Sequence, residues 1–194
     1  FEIDGHTQQL GIIGYPIEHT FSPRMHNFIS EAVHNNYIYS AWSVNPTKLG
    51  AAIEAIRVLG IKGINVTAPH KVEVMRYLDF VSDTAKELGS VNTVVNRGGR
   101  LFGYNTDADG FCMSLSKEGI NIKDSKILII GAGGVVRPVL IRLIDNGAAA
   151  VTVVNRTKSK AISLAENILE TKNFRVNTDI STPDFDIVIN TTSA

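Results

Sequence analysis

Apolar positions recur along this chain with two periods, and the switches between them predict its elements. Residues 10–14 read as a short buried strand. Met25, Phe28, Ile29, Ala32 and Val33 then fall at i, i+3, i+4, i+7 and i+8, which predicts a helix with that stripe facing the core. Ser22 followed by Pro23 predicts its N-cap and first turn. Residues 37–44 are strand-like, and Leu49, Ala52, Ile53 and Ile56 predict a helix capped by Thr47 and closed by Gly60. A strand at Gly63–Val66, a short helix running to about Leu78 and another at Asp83–Leu88 follow. Residues 91–96 and 101–105 alternate around Arg97-Gly98-Gly99-Arg100, a hairpin pattern. A helix over 108–118, ended by Gly119, is expected to connect two domains.

The pattern is densest from Lys126 to Thr157. Residues 127–130 are an apolar, β-branched run, followed at once by Gly131, Gly133 and Gly134. Val135, Val136, Val139, Leu140, Leu143 and Ile144 form a helical stripe, with Pro138 in the first turn and Gly147 placed to end it. Residues 151–154 predict a second buried strand, so the whole is a βαβ unit with a dinucleotide-type turn. Beyond it Ala161, Leu164, Ala165 and Ile168 mark a helix, and strands are expected at 174–176 and 186–190. That makes four strands where a full dinucleotide fold has about six, so the second domain is expected to be incomplete in this chain.

The chemistry of the glycine turn is specific to phosphate. Glycines let the backbone approach a pyrophosphate, and a helix N-terminus offers free N–H groups and the positive end of its dipole. An NAD site would end the second strand in a carboxylate for the ribose 2′-hydroxyl. Here that strand ends in Asn155-Arg156-Thr157, a cation without a carboxylate, which favours the 2′-phosphate of NADP. An ordinary βαβ unit with a glycine turn is the plain alternative. The third glycine position of the full pattern is occupied by Val136.

Composition narrows the classes. The 194 residues are 44% hydrophobic and 20% charged with zero formal net charge, as in a globular protein without a nucleic-acid surface. Cys112 is the single cysteine, which excludes an internal disulfide and a cysteine-built metal site. No apolar run approaches the roughly 20 residues of a membrane helix, so the default is a cytoplasmic enzyme or binding protein. Thr20 and Ser22 present hydroxyls beside a helix start, where a carboxylate is welcome, although the segment alone favours Ser22 as a cap. Lys71 follows a strand end, the edge at which α/β sheets hold ligands, but a lone lysine there is more often a solvated one. Asn92 opens one hairpin arm, and Asp107 follows the other, where it serves equally as a helix cap.

Taken together, the motifs resemble the shikimate dehydrogenase family. They are Gly14-Tyr15-Pro16-Ile17 with Thr20-Phe21-Ser22-Pro23 and His26-Asn27, then Asn65-Val66-Thr67-Ala68-Pro69-His70-Lys71 and Gly89-Ser90-Val91-Asn92-Thr93. Gly103-Tyr104-Asn105-Thr106-Asp107, Gly131-Ala132-Gly133-Gly134 and Asn155-Arg156-Thr157 complete the set. The resemblance implies an α/β protein with an N-terminal substrate domain, residues 1–107, a connecting helix and linker, 108–124, and a Rossmann-like NADP domain, 125–194. It implies an active site in the cleft between them and reversible reduction of 3-dehydroshikimate to shikimate, a step of aromatic amino acid biosynthesis. By resemblance Lys71 and Asp107 are the catalytic pair, and Thr20, Ser22, Thr67 and Asn92 bind substrate. Gly131, Ala132, Gly133, Gly134, Val135, Asn155, Arg156, Thr157, Lys160 and Asp83 lie toward NADP. No metal, nucleic acid or membrane is expected, and a homodimer is one assembly open to it. Departures from the family pattern are Thr20 for serine, Ala108 for glycine, and Val136 and Pro138 at the start of the cofactor helix. The family's later cofactor-side loop, its substrate-binding glutamine and its last helices, which pack back on the first domain, lie beyond Ala194. The alternatives are a quinate/shikimate dehydrogenase of broader specificity, or a fragment that binds shikimate or NADP and turns over poorly.

Overall fold

The computed structural model describes residues 3–180 and 184–192. The chain folds as two compact units, Phe1–Asn105 and Thr106–Ala194. The first runs β1 (Gln8–Gly14), α1 (Ser22–Ala32), β2 (Tyr37–Ser43), α2 (Leu49–Val58), β3 (Gly63–Val66), a 3₁₀ turn (Glu73–Tyr77), β4 (Phe80–Val81), α3 (Asp83–Leu88), β5 (Thr93–Arg97) and β6 (Arg100–Tyr104). Its strands form one mixed sheet in the order β2-β1-β3-β5-β6-β4. β1 pairs parallel with β2 and with β3, and β5 pairs antiparallel with β3 and β6. The hairpin turn has positive φ at both Gly98 and Gly99, the mirror-image turn that matches strand twist. β4 is two residues long and was not legible as a strand.

The main core of this unit lies on one face of the sheet. Ile13, Ile64, Val66, Val94 and Leu101 from the strands meet Leu49, Ile53 and Ile56 of α2 and Ala85 of α3. The other face carries a smaller cluster of Ile12, Ile17 and Tyr39. Beside it lies a groove of about 640 Å³ lined by Leu10, His26, Tyr39, Lys62, Asn65 and Thr93, among others.

Helix α1 corrects the expectation drawn from its periodicity. The stripe Met25, Phe28, Ile29, Ala32 and Val33 is exposed, with Phe28 at 71%. The helix docks by its polar face instead. The Asn27 side chain accepts from the Tyr39 N–H at 2.8 Å and donates to the Tyr39 carbonyl at 3.0 Å. Buried Ser30 donates to the carbonyls of Asn35 and Tyr37 at 2.9 and 3.1 Å. β2 is an edge strand, and its outward backbone groups need partners. Periodicity reveals an apolar face but not which face the sheet demands.

Three expected caps also differ. Ser22 is the first helical residue of α1, after Phe21, and makes no capping bond. Asn45, not Thr47, caps the segment before α2, accepting from the Thr47 N–H at 3.0 Å. Asp107 is likewise the first residue of α4, not its cap, because Thr106 holds the preceding position.

The second unit contains α4 (Asp107–Lys117), β7 (Lys126–Ile130), α5 (Val136–Asp145), β8 (Ala150–Val154), α6 (Lys158–Lys172) and β9 (Ile187–Asn190). Its strands are all parallel, in the order β8-β7-β9. Ile127, Ile129, Val151 and Val153 are fully buried, as expected of strands covered on both faces. The strand anticipated at 174–176 is reduced to one bridge, Thr152 to Asn177. The left-handed C-cap Asn173 delays the chain, and polar Asn177 and Thr178 leave no apolar run to extend the pairing. α4 packs along α5, with Asp109 accepting from Arg142 Nε at 2.6 Å.

If α1 is held to the sheet by its polar face, Asn27→Ala strands two backbone groups of Tyr39 and should cost about 1–3 kcal/mol of stability. Chemical denaturation measures this, and Asn27→Leu, which restores bulk without hydrogen bonds, should not recover it.

Candidate functional site

In the first unit, the expected substrate residues emerge from one end of the sheet. β1 and β3 are parallel neighbours, so the loops that follow them start side by side. The Thr67 N–H donates to the Ile13 carbonyl at 2.9 Å, and the Tyr15 N–H donates to the Ala68 carbonyl at 3.0 Å. Gly14 makes this approach possible, since a Cβ there would stand 2.5 Å from Thr67 Cγ2. The turn from Thr67 to Lys71 is anchored from below by His70, which is 1% exposed and whose Nε2 lies 2.7 Å from the Val44 carbonyl. A carbonyl only accepts, so that nitrogen carries a proton. The Lys71 carbonyl accepts from Val91 N–H at 2.8 Å, and Val66 N–H donates to the Asn92 carbonyl at 2.8 Å. The structure therefore joins Thr67, half-buried Lys71 and buried Asn92 along one edge.

Thr20 and Ser22 lie where β1 leads into α1, on the segment that leaves the same end of the sheet. Thr20 Oγ1 accepts from the Ser22 N–H at 3.3 Å. Tyr39 Oη donates to Asn65 Oδ1 at 2.7 Å. Asn65 Nδ2 faces the Asn92 carbonyl at 3.4 Å and Thr93 Oγ1 at 3.5 Å, and Thr93 Oγ1 donates to Asn92 Oδ1 at 2.9 Å. Burial pushes the Tyr39 phenol up to about 12, so it stays a neutral hydroxyl at physiological pH. Asn65 belonged to a quoted motif without a role, and Tyr39 carried no signal beyond its place on a strand.

Asp107 is the exposed first residue of α4, at the start of the second unit. Asp83 sits in the first turn of α3, almost wholly exposed, and pairs with Lys86 at 3.2 Å. That is the ordinary position of a first-turn acid complementing a helix dipole.

In the second unit, the glycine turn and the end of β8 line one pocket of about 520 Å³. Gly131, Ala132, Gly133, Asn155, Arg156, Thr157 and Lys160 all contribute, joined by Ile130, Thr191 and Thr192. Gly131 has φ +114, and a Cβ there would run into Thr191 Oγ1, so only glycine fits. Gly133 and Gly134 face open space, and Val135 precedes the first turn of α5. Val136, at the position of the missing third glycine, is fully buried under the helix. Asn155 Nδ2 donates to the Thr157 carbonyl at 2.9 Å and shapes the turn that presents Arg156. Among the described residues neither Arg156 nor Lys160 has a carboxylate partner. Thr191 and Thr192 follow β9 at the strand edge where such sheets bind ligands, a signal available in the sequence but unused.

Gly131→Ala should cost at least about 2 kcal/mol of unfolding free energy, from left-handed backbone and steric overlap together. A thermal melt of the variant without ligand measures it.

Comparison with known proteins agrees with this arrangement. Residues 12–94 match the model of the shikimate dehydrogenase substrate binding domain, and residues 114–194 match that of shikimate / quinate 5-dehydrogenase. The chain is 42% identical to the shikimate dehydrogenase (NADP(+)) of Alkaliphilus oremlandii over all of its length and 71% of the relative's. Across the curated relatives it spans 55% to 71% of their lengths. The crystal structure of shikimate dehydrogenase from Aquifex aeolicus superposes with TM-score 0.91 at 40% identity, covering 99% of this chain and 71% of that one. The enzyme of Thermus thermophilus, crystallised with NADP(H) and shikimate, gives 0.85 at 34% identity, covering 95% and 68%. Two matched domain models in order, a relative at this identity and a shared fold over both units place the chain in the shikimate dehydrogenase family.

Proposed function

We propose that this protein reversibly reduces 3-dehydroshikimate to shikimate with NADPH. The observation that carries the reading is the second-unit pocket, in which a glycine cradle, Arg156 and Lys160 line one space. Curated relatives are named for NADP(+), and a structural neighbour holds both NADP(H) and shikimate.

The residues present fit the cofactor. Gly131, Ala132, Gly133 and Gly134 leave room for a pyrophosphate at the N-terminus of α5, whose free N–H groups favour an anion. Arg156 would pair with the 2′-phosphate, with Lys160 as a second cation and Asn155 and Thr157 framing the adenosine side. When bound, NADP supplies the hydride donor or acceptor of the reaction. The protein's own part is binding and proton transfer. Thr20, Ser22, Thr67 and Asn92 hold the substrate, and Lys71 delivers a proton from Nζ to the oxygen that becomes the alcohol. Asp107 is assigned as the partner that orients Lys71. A reaction in the cytoplasm follows from the same assignment; among the described residues no helix is long and apolar enough to cross a membrane. The family model names quinate beside shikimate, and quinate as a second substrate is the reading to test in parallel.

In the full-length protein, Lys71→Met should lower kcat by about 10²-fold or more, because it removes the proton donor and keeps much of the volume. Shikimate affinity by calorimetry should change little. Near-normal kcat would reduce Lys71 to a binding residue.

Arg156→Ala should weaken NADP binding by about one to two decades, the value of a charge-assisted phosphate contact of roughly 1.5–3 kcal/mol, and leave NAD binding nearly unchanged. Equal loss for both cofactors would contradict its reading of the 2′-phosphate.

A further inference from the structure

We propose that His70 is a positioning residue for the proton-transfer step: its buried ring, held by the Val44 carbonyl, fixes the backbone from which the Lys71 side chain starts. The assignment rests on the shikimate dehydrogenase reading of the site.

Bulk alone does not call for an imidazole here. Among the largest fully buried side chains of the described residues, every one but His70 is isoleucine or leucine. Burying ring nitrogens is costly unless they are hydrogen-bonded, and a leucine would fill such a space without that cost. The His70 ring has a specific partner, the Val44 carbonyl at 2.7 Å from Nε2. A carbonyl only accepts, so Nε2 donates.

That bond joins three strand ends. Val44 follows β2, and its own N–H donates to the carbonyl of Gly14, the last residue of β1, at 3.0 Å. His70 lies in the turn after β3. Its N–H donates to the Thr67 carbonyl at 3.0 Å, and its carbonyl accepts from the Val74 N–H at 2.9 Å. The Lys71 carbonyl is held in turn by the Val91 N–H, on the approach to β5. Backbone bonds therefore tie the Lys71 turn to β1 and to the approach to β5, and the His70 side chain ties it to β2. Of these ties only the one to β2 depends on residue type. A catalytic group must be held within about 10–20° of its productive direction by the residues behind it. Misplacement by ~1 Å can cost about 10²-fold in rate.

The test compares two variants of the full-length protein. His70→Phe keeps a ring without the donor. His70→Gln has an amide nitrogen as many bonds from Cβ as the imidazole Nε2. His70→Phe is expected to lower kcat about 10- to 100-fold, with the calorimetric shikimate Kd within about threefold of wild type. His70→Gln should recover kcat to within about threefold of wild type, because the donor is restored. In the Lys71→Met background His70→Phe should lower kcat by less than about twofold, because its effect passes through Lys71. Near-normal kcat in His70→Phe would overturn the proposal even with a lowered Tm, which marks a ring that only supports the fold. Equal losses of kcat in the Phe and Gln variants, or full additivity with Lys71→Met, would overturn it too. Should His70→Phe fail to fold, His70→Asn carries the same question, since its amide is one bond too short to reach Val44. It should lose the kcat that His70→Gln keeps, and equal kcat for these two would overturn the proposal. A wild-type protein that neither binds nor oxidises shikimate would overturn the functional reading and this inference with it. An active wild type whose kcat is indifferent to His70 would overturn this inference alone.

Discussion

Strand β3 pairs parallel with β1 on one side and antiparallel with β5 on the other, and the first unit depends on this mixed pairing. The parallel side sends the loops after β1 and β3 out of the same edge, which sets the segment carrying Thr20 and Ser22 beside the Thr67–Lys71 turn. The antiparallel side brings the start of β5, and with it Asn92, to that edge. Register is as important as direction. Ile64 and Val66 point into the main core, while Asn65 between them faces Tyr39. A slip of one residue would exchange the two faces. It would bury the Asn65 amide among isoleucines and leave Tyr39 without its acceptor, so the hydrophobic core and the polar site hold each other in place.

The second unit solves a different problem with fewer parts. A parallel three-stranded sheet ends in a turn that must pass close to Thr191 and still leave open space in front of α5. Gly131 meets the first demand by having no side chain, and Gly133 and Gly134 meet the second. Val136 keeps the helix against the sheet although the usual pattern has glycine there, because its branched side chain is buried as part of the packing.

Sequence patterns served well where one force dominates. The glycine-rich hairpin, the buried strands β7 and β8 and the helix between them follow from backbone freedom and apolar periodicity alone, and the structure has them within two residues. The residues around the glycine turn were legible for the same reason. Reading failed where polar contacts decide. The apolar stripe of α1 faces outward because Asn27 and Ser30 serve an edge strand, and no hydrophobic period reports that. Ser22 and Asp107 resembled caps because residue type suggests a cap but does not fix the boundary to one position. The Tyr39–Asn65 link was invisible because it joins side chains 26 positions apart through a register known only once the sheet is formed.

The placement of charge around the nucleotide pocket bears on how such an enzyme can change over evolutionary time. Arg156 and Lys160 stand on the exposed rim, past the end of β8, and neither contributes to the core. Exchanges at such surface positions usually shift stability by no more than about 0.5 kcal/mol. Gly131, buried against Thr191, has no such freedom. Under the proposed assignment, the part of the pocket that recognises a phosphate in general is tied to the fold, and the part that distinguishes one dinucleotide from the other is not. A lineage could therefore drift in its cofactor preference through neutral surface changes, without passing through an unstable intermediate.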